Sequence, residues 1–583
     1  MENDTEGSQK RLLGSAVREA LTKKYTMADL RGDLFAGATV GIVAVPLAMA
    51  LAIASGVPPQ HGLYTAIIAG AIIALFGGSR ISVSGPTAAF VVILLPIAQQ
   101  HGIGGLLLAT VMAGLILIFL GLGGLGRFIQ FIPYPVTTGF TAGIGVVIAT
   151  IQIKDFLGLT IAGTQEHYLG KVTAIIQALP TLRPHDLTIG ILTLATLLVW
   201  RRLKLAIPAH LVALTIGSVA AYLASAIMPG FHVDTIGSRF SYTIGTLTGH
   251  GIPPLPPVLD WPWNFPNAQG MPVGLSWPMI QQLIPAAFTI AMLGAIESLL
   301  CAVVADGLAD TKHNPNGELI GQGIGNVVAP FFGGITATAA IARTATSIRS
   351  GARSPLAAVI HAMVVLLAVI ALAPLLSHLP MASLAALLFV VAWDMSEAKH
   401  FVNIVKTAPQ NDVAVLLACF SLTVLVDMVI AVGVGIVLAS LLFIRRMADL
   451  TGATLLSGNG HPKLQDIPAH VAVYEIKGPI FFGAAEKAMN NLQQFNNKVQ
   501  AVIIDMTNVP AMDMTGMVAL ESLLSKMHKV GVAVVLSGLK IELKLKLNRV
   551  GIVAQEDSLA FCPELGKALE VALEMRPPAK IAA

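Results

Sequence analysis

From Asp33 to Ile444 the chain is a near-continuous succession of apolar runs, interrupted by glycines, prolines and short charged clusters. A helix needs about 20 apolar residues to cross a bilayer. The pattern predicts fourteen candidate spans, several of them short: 33–54, 62–77, 86–99, 103–121, 134–152, 187–200, 208–228, 279–305, 317–331, 339–350, 355–375, 381–396, 410–426 and 428–447. Beyond residue 447 the pattern changes. A linker at 448–466 leads to segments with the look of strands at 470–478, 500–506 and 531–537, alternating with helical patterns at 514–528, 540–549 and 563–575. That alternation predicts a small α/β domain. The chain therefore divides into an N-terminal segment (1–32), a membrane domain (33–447), the linker, and a soluble domain (467–583).

Two of the apolar segments break in the same way. Residues 75–89 read LFGGSRISVSGPTAA and residues 331–345 read FFGGITATAAIARTA, so Phe76-Gly77-Gly78 recurs as Phe332-Gly333-Gly334. The first break opens the third span and the second opens the tenth. Seven spans is an odd offset, so the two halves cross the membrane in opposite senses. The fold class expected is an all-α polytopic membrane domain, fourteen spans in a seven-plus-seven inverted repeat, followed by the α/β domain. Broken helices at corresponding positions of two halves point to the binding site of a secondary transporter.

Composition agrees with the pattern and narrows the function. Hydrophobic residues make up 55% of the 583 and charged residues 12%, about half the charge of a soluble domain. A net charge of +4 without a basic aromatic surface excludes a nucleic-acid partner. Cys301, Cys419 and Cys562 lack metal-ligand spacing and read as packed, reduced thiols. There is no nucleophile set, metal cluster or P-loop, and the glycine runs at 102–105 and 121–126 follow no strand. The expectation is no enzyme and no cofactor. Arg80, Arg127, Arg201, Arg202, Lys204, Lys312, Arg349, Arg353, Lys399 and Lys406 fall in alternate loops, and Arg445 and Arg446 follow the last span. The long 229–278 connection carries only Arg239, while 153–186 is a weak exception with Lys154, Lys171 and Arg183. By the positive-inside rule both termini are cytoplasmic, and residues 1–31, polar and basic, do not resemble a signal peptide.

Candidate chemistry gathers at the breaks. Pro86 suits the first turn of a helix, so the N–H groups of Thr87, Ala88 and Ala89 are expected to point into the membrane centre. Orphan donors at the positive end of a helix dipole make an anion site. In the second copy Thr336, Ala337 and Thr338 are expected to be extended, with Ala339, Ala340 and Ile341 as the first turn. Glu297 is the only charged residue between Trp261 and Asp306, and lies about 13 Å from Asp306 along a helix. A charge there costs at least about 2.5–3.5 kcal/mol on insertion scales. It reads as a proton-coupling carboxylate, or else as a group that holds two helices together. Arg343 either adds positive charge beside an anion or extends toward the cytosol near Arg349. His361 reads as a packing residue. In the soluble domain Asp513-Met514-Thr515-Gly516 opens a helix, and Thr515 either accepts phosphate or caps and packs.

These segments together carry a resemblance. GLYTAIIAGAIIALFGGSRISVSGPTAA (62–89), AMLGAIESLLCAVVADG (291–307), GQGIGNVVAPFFGGITATAAIARTAT (321–346) and VIIDMTNVPAMDMTG (502–516) are similar to the SulP anion transporters, the sulfate permease family with a C-terminal STAS domain. Within that family the likeness runs toward the enterobacterial C4-dicarboxylate transporters. The resemblance implies a core domain (spans 1–4 and 8–11), a gate domain (spans 5–7 and 12–14), and a homodimer in a bacterial inner membrane with cytoplasmic STAS domains. It implies a site between spans 1, 3, 8 and 10, which adds Pro46, Leu47, Ala48 and Leu51. Glu297 stands where sodium-coupled bicarbonate members place Asp, and Cys301 replaces a hydroxyl residue, which favours a proton over sodium. Thr515 falls at the phosphorylated Ser of anti-sigma-factor antagonists, and STAS domains in the family bind partners, acyl carrier protein among them. The function expected is proton-coupled, elevator-type uptake of C4-dicarboxylates such as succinate, fumarate or aspartate. The alternatives are a bicarbonate or sulfate transporter and a scaffold or sensor acting through the STAS domain.

Overall fold

A computed structural model describes residues 13–575 except 23–24, 128–131, 162, 164–166, 204, 206, 245–246, 427, 457–466, 469, 482–484 and 486–498. Part of the expected N-terminal segment, Lys204, most of the linker and the end of the soluble domain lie outside the described residues. The chain forms two compact units, Met1–Ile436 and Val437–Ala583.

The first unit is helical. Its elements are α1 (Ser15–Thr22), α2 (Met27–Ala54), α3 (Pro59–Phe76), β1 (Ser84–Gly85), α4 (Ala88–Leu122), α5 (Tyr134–Leu157), α6 (Tyr168–Ala178), α7 (Pro184–Leu203) and α8 (Ala209–Ile227). A short hairpin follows, β2 (Ser241–Ile244) and β3 (Leu247–His250). Then come α9 (Trp277–Ala309), α10 (Pro315–Val328), β4 (Thr338–Ala339), α11 (Ile341–Arg349), α12 (Leu356–Leu376), α13 (Met381–Ser396), α14 (Ala398–Thr407), α15 (Gln410–Leu425) and α16 (Met428–Leu450), the last of which runs into the second unit.

Each of the fourteen predicted segments is helical. The third and fourth follow one another without a loop within α4, which is two helices meeting at a kink at Gly102, whose φ of 68° and ψ of −174° leave the helical region. Glycine is required there because a Cβ would lie 2.3 Å from the backbone of Asn267; the 265–267 segment packs into the break, and Gly104 N donates to Pro266 O at 3.0 Å. Among the described residues, nine helices are long and apolar enough to cross a membrane alone. α10 and α11, with 14 and 9 residues, reach only about 21 and 13 Å, because each abuts the second break. Large apolar side chains such as Phe119, Ile227 and Leu367 are more than 60% exposed, as expected of surfaces that face lipid rather than water.

The helices pack as two groups. α2, α3, α4, α9, α10, α11 and α12 form one, and α5, α7, α8, α13 and α15 the other. In the first group the two extended stretches meet: β1 pairs with β4 antiparallel, Ser84 opposite Ala339 and Gly85 opposite Thr338. Helix α14 was not expected from the sequence.

The second unit is a five-stranded sheet in the order β5 (Gly452–Leu455), β6 (Val471–Lys477), β7 (Ala501–Asp505), β8 (Ala533–Ser537) and β9 (Leu559–Cys562). β5 is antiparallel to β6 and the rest are parallel. Three helices follow the expected positions: α17 (Met514–Lys529), α18 (Ile541–Arg549) and α19 (Leu565–Glu574). Strand residues β7 and β8 are buried throughout because both faces are covered. Leu520, Leu523, Leu543 and Leu547 of α17 and α18 join one apolar cluster, and Ala568 and Ala572 of α19 join another.

Candidate anion site at two opposed helix starts

The β1–β4 ladder fixes where α4 and α11 begin. Because the strands run antiparallel, the chain leaves the ladder in opposite directions, and the two helices point away from a common centre. Their first-turn N–H groups have no acceptor within the helix. Thr87 is the N-cap of α4, yet its hydroxyl makes no cap bond; it donates instead to Glu297 Oε2 of α9 at 3.0 Å. The usual intrahelical use of an N-cap side chain is thereby given up, and the donors of Ala88 and Ala89 stay unsealed. Thr87 and Glu297 are both partly buried.

The second half differs from expectation by two residues. Thr338 and Ala339 are strand, Ala340 is the N-cap and α11 starts at Ile341. Ala340 N is used, donating to Val83 O at 3.0 Å, because the extended stretch continues the ladder one residue further than the Thr/Ala pattern indicates. Ile341 is 46% exposed. Thr338 is buried and its hydroxyl bonds Ser298, one residue from Glu297, at 2.6 Å.

Arg343 turns inward. It is buried, Nη2 donates to Pro86 O at 2.6 Å, and Nη1 occupies the place where a Cβ on residue 85 would sit, 2.6 Å away. Gly85 is therefore needed to admit the guanidinium. A cation from α11 thus reaches the residue before Thr87 and ties the two helix starts together, while Arg349 is exposed. Of the span 1 positions, Pro46, Ala48 and Leu51 are buried and Leu47 is partly buried. They lie on α2, which packs against both α4 and α11, and Ala48 and Leu51 share an apolar cluster with Ala88 and Ala89. His361 is fully buried, but neither ring nitrogen finds a hydrogen-bond partner, so it packs without being satisfied. Thr515 is exposed on the first turn of α17; the cap is Asp513, whose carboxylate accepts from Gly516 N at 2.8 Å.

Sequence reasoning missed the brace behind the ladder. Glu318 of α10 is buried and accepts from the N–H groups of Gly78 and Ser79, both at 3.0 Å. Gln322 Nε2 donates to Glu318 Oε1 and to Ser84 Oγ, each at 3.0 Å. Asn326 accepts from Ala337 N and donates to Ala337 O at 2.8 and 2.9 Å. From α3, His61 Nδ1 donates to Gly333 O at 2.6 Å, and the Thr65 hydroxyl shares its proton between His61 O at 2.6 Å and Ile335 O at 3.1 Å. The signal was present: Glu318, Gln322 and Asn326 are spaced i, i+4, i+8, a polar row on one face of an otherwise apolar helix. Among the described residues no group of three or more His, Cys, Asp or Glu is arranged to hold a metal ion.

Comparison with known proteins bears on this arrangement. The sulfate permease family pattern matches residues 30–419 and the STAS domain pattern residues 462–568. A putative sulfate transporter, YvdB of Bacillus subtilis, is 41% identical over 91% of this chain and 95% of its own length. The bicarbonate transporter BicA of Synechocystis is 32% identical over 91% of this chain and 92% of its own. Among solved structures, murine Slc26a9, an anion transporter in an inward-facing state, superposes with a TM-score of 0.80 at 20% identity, covering 97% of this chain and 94% of that one. The transmembrane domain of a cyanobacterial BicA gives 0.58 at 31% identity over 72% of this chain and 99% of that one.

Proposed function

This chain belongs to the sulfate permease family, and on that premise we propose that it is a secondary active transporter of small anions, coupled to protons through Glu297. The observation that carries the reading is the pair of opposed helix starts on one ladder, with the Thr87 hydroxyl engaged by Glu297 rather than by its own helix. The anion is held by the first-turn N–H groups of α4 and α11, with Arg343 supplying a full positive charge behind them. Two helix ends each carry roughly half an elementary charge, so the site is built for an anion and not for a neutral solute. Small side chains at Ala88 and Ala89 leave the backbone of the first turn of α4 within reach. Protonation of Glu297 removes the one negative charge beside the anion, and the helix group that carries the site moves against the other group as an elevator.

A compact oxyanion such as bicarbonate or sulfate is the first reading of the cargo, supported by the relatives named for those anions. A C4-dicarboxylate is the second, favoured by the presence of two donor clusters, one at each helix start, for two carboxylates. Uptake of labelled bicarbonate, sulfate and succinate into proteoliposomes under imposed pH and sodium gradients separates them. Uphill uptake on an inward proton gradient, indifferent to sodium, is the expected result. Glu297→Gln is expected to keep downhill exchange and to lose the response to pH; full uphill, pH-dependent uptake by that variant would overturn coupling through Glu297.

A further inference from the structure

The second helix group contains an apolar slot of about 830 Å³ that takes no part in the site described above. Ala142, Gly145 and Ala149 of α5 give it depth, and Phe389, Phe401 and Phe420 give it walls. Its rim carries Ser396, whose hydroxyl is already spent on Trp393 O at 2.8 Å. A cavity with such a lining offers water no partners. From Ala142 to Leu157, both on its wall, the slot follows α5 for about 22 Å, more than half of a hydrocarbon core about 30 Å thick. At that depth the available solvent is lipid tail.

One end of the slot meets α14, and this end has a chemistry of its own. With 3.6 residues per turn, Ala398, Phe401, Val402 and Val405 share one face of α14. Lys399 and Lys406, seven residues apart, fall on the same border between that face and the polar one. Both lysines are exposed. A short amphipathic helix with lysines at the edge of its apolar face is the pattern of a segment lying in the membrane interface. By the distribution of Lys and Arg this is the cytoplasmic leaflet. Of the neighbouring charged and polar groups, Asp394 pairs with Arg201 at 3.0 Å and His400 bonds the Tyr134 hydroxyl at 2.7 Å, while Glu397, the exposed N-cap of α14, sets one negative charge against the two lysines.

We propose that the slot binds an anionic phospholipid of that leaflet, with one tail along α5 and the phosphate held by Lys399 and Lys406. The test uses the full chain in nanodiscs of mixed phosphatidylglycerol and phosphatidylcholine, with a photoactivatable group on the tail of one lipid or the other. Phosphatidylglycerol is expected to label peptides spanning 142–157 and 389–402 in preference to phosphatidylcholine. Replacing Lys399→Gln and Lys406→Gln is expected to reduce that labelling by about five-fold per lysine. Because both lysines are exposed, an unchanged melting temperature will separate lost binding from lost structure. Ala149→Phe, which fills the slot, is expected to abolish labelling without changing the charge. Equal labelling by both lipids overturns the proposal, as does labelling that survives the double lysine variant. So does a cross-link from Trp393→Cys to a second copy of the chain, which would show that a protein and not a lipid covers the slot.

Discussion

The helix before each break holds the extended stretch that follows the other break. α3 comes from the first half, and its His61 and Thr65 donate to the carbonyls of Gly333 and Ile335. α10 comes from the second half, and its Glu318 accepts from the amides of Gly78 and Ser79 while Gln322 reaches Ser84. The two braces are alike in topology and differ in chemistry: α3 only donates, whereas α10 accepts through Glu318 and donates through Gln322. An inverted repeat thus preserves where a backbone goes while leaving each half free to choose its chemistry. The asymmetry reaches the candidate site itself: the buried cation, Arg343, comes only from the second half, and the uncapped threonine, Thr87, only from the first.

The largest expected effect comes from the carboxylate brace. Glu318→Ala leaves two buried N–H groups unpaired, at about 1–3 kcal/mol each, and is expected to lower the melting temperature of the detergent-solubilised protein sharply. Glu318→Gln retains an acceptor oxygen and should recover part of the loss; an alanine variant as stable as the parent would show that the brace is ornamental. Next comes Arg343→Ala. The bond of a buried guanidinium to Pro86 O contributes about 1.5–3 kcal/mol, so uptake measured as kcat/KM should fall roughly 10- to 150-fold, with Arg343→Lys in between. A drop of similar size in both Arg343 and Thr87→Val variants would mean that the halves contribute equally after all. Smaller still is Thr65→Val, which removes one neutral hydrogen bond and should cost about 1 kcal/mol of stability. Combined with Glu318→Gln in a double-mutant cycle, it measures whether the two braces are coupled through the ladder; a departure from additivity above about 0.5 kcal/mol shows that they are.

Much of this arrangement is legible in the residues. The FGG repeat marks both breaks, and the odd spacing of seven spans implies the opposed directions that the ladder displays. Glu297 is visible as the single charge in a long apolar run. What escapes is whatever depends on a partner far along the chain. β5 and β9 are four residues each and exist because neighbouring strands pair with them. The break at Gly102 falls between two predicted spans, but the 265–267 segment that packs into it is not encoded in local pattern. The start of α11 lies two residues late because Ala339 is claimed by Ser84. The brace on α10 was overlooked for a different reason: a row of polar residues on a membrane helix was visible but had no predicted neighbour to serve.

The opposed directions of α4 and α11 have an electrical consequence. Two antiparallel helix dipoles cancel beyond their shared end, so carrying this backbone through the field of an energised membrane does no net work. Only full charges respond, at about 2.3 kcal/mol per elementary charge per 100 mV. On the proposed cycle, one proton entering with a monovalent anion carries no net charge, whereas with a divalent anion each turnover carries one negative charge. On that cycle a current recorded during transport reports the valence of the anion, offset by the one proton, without the need to identify it.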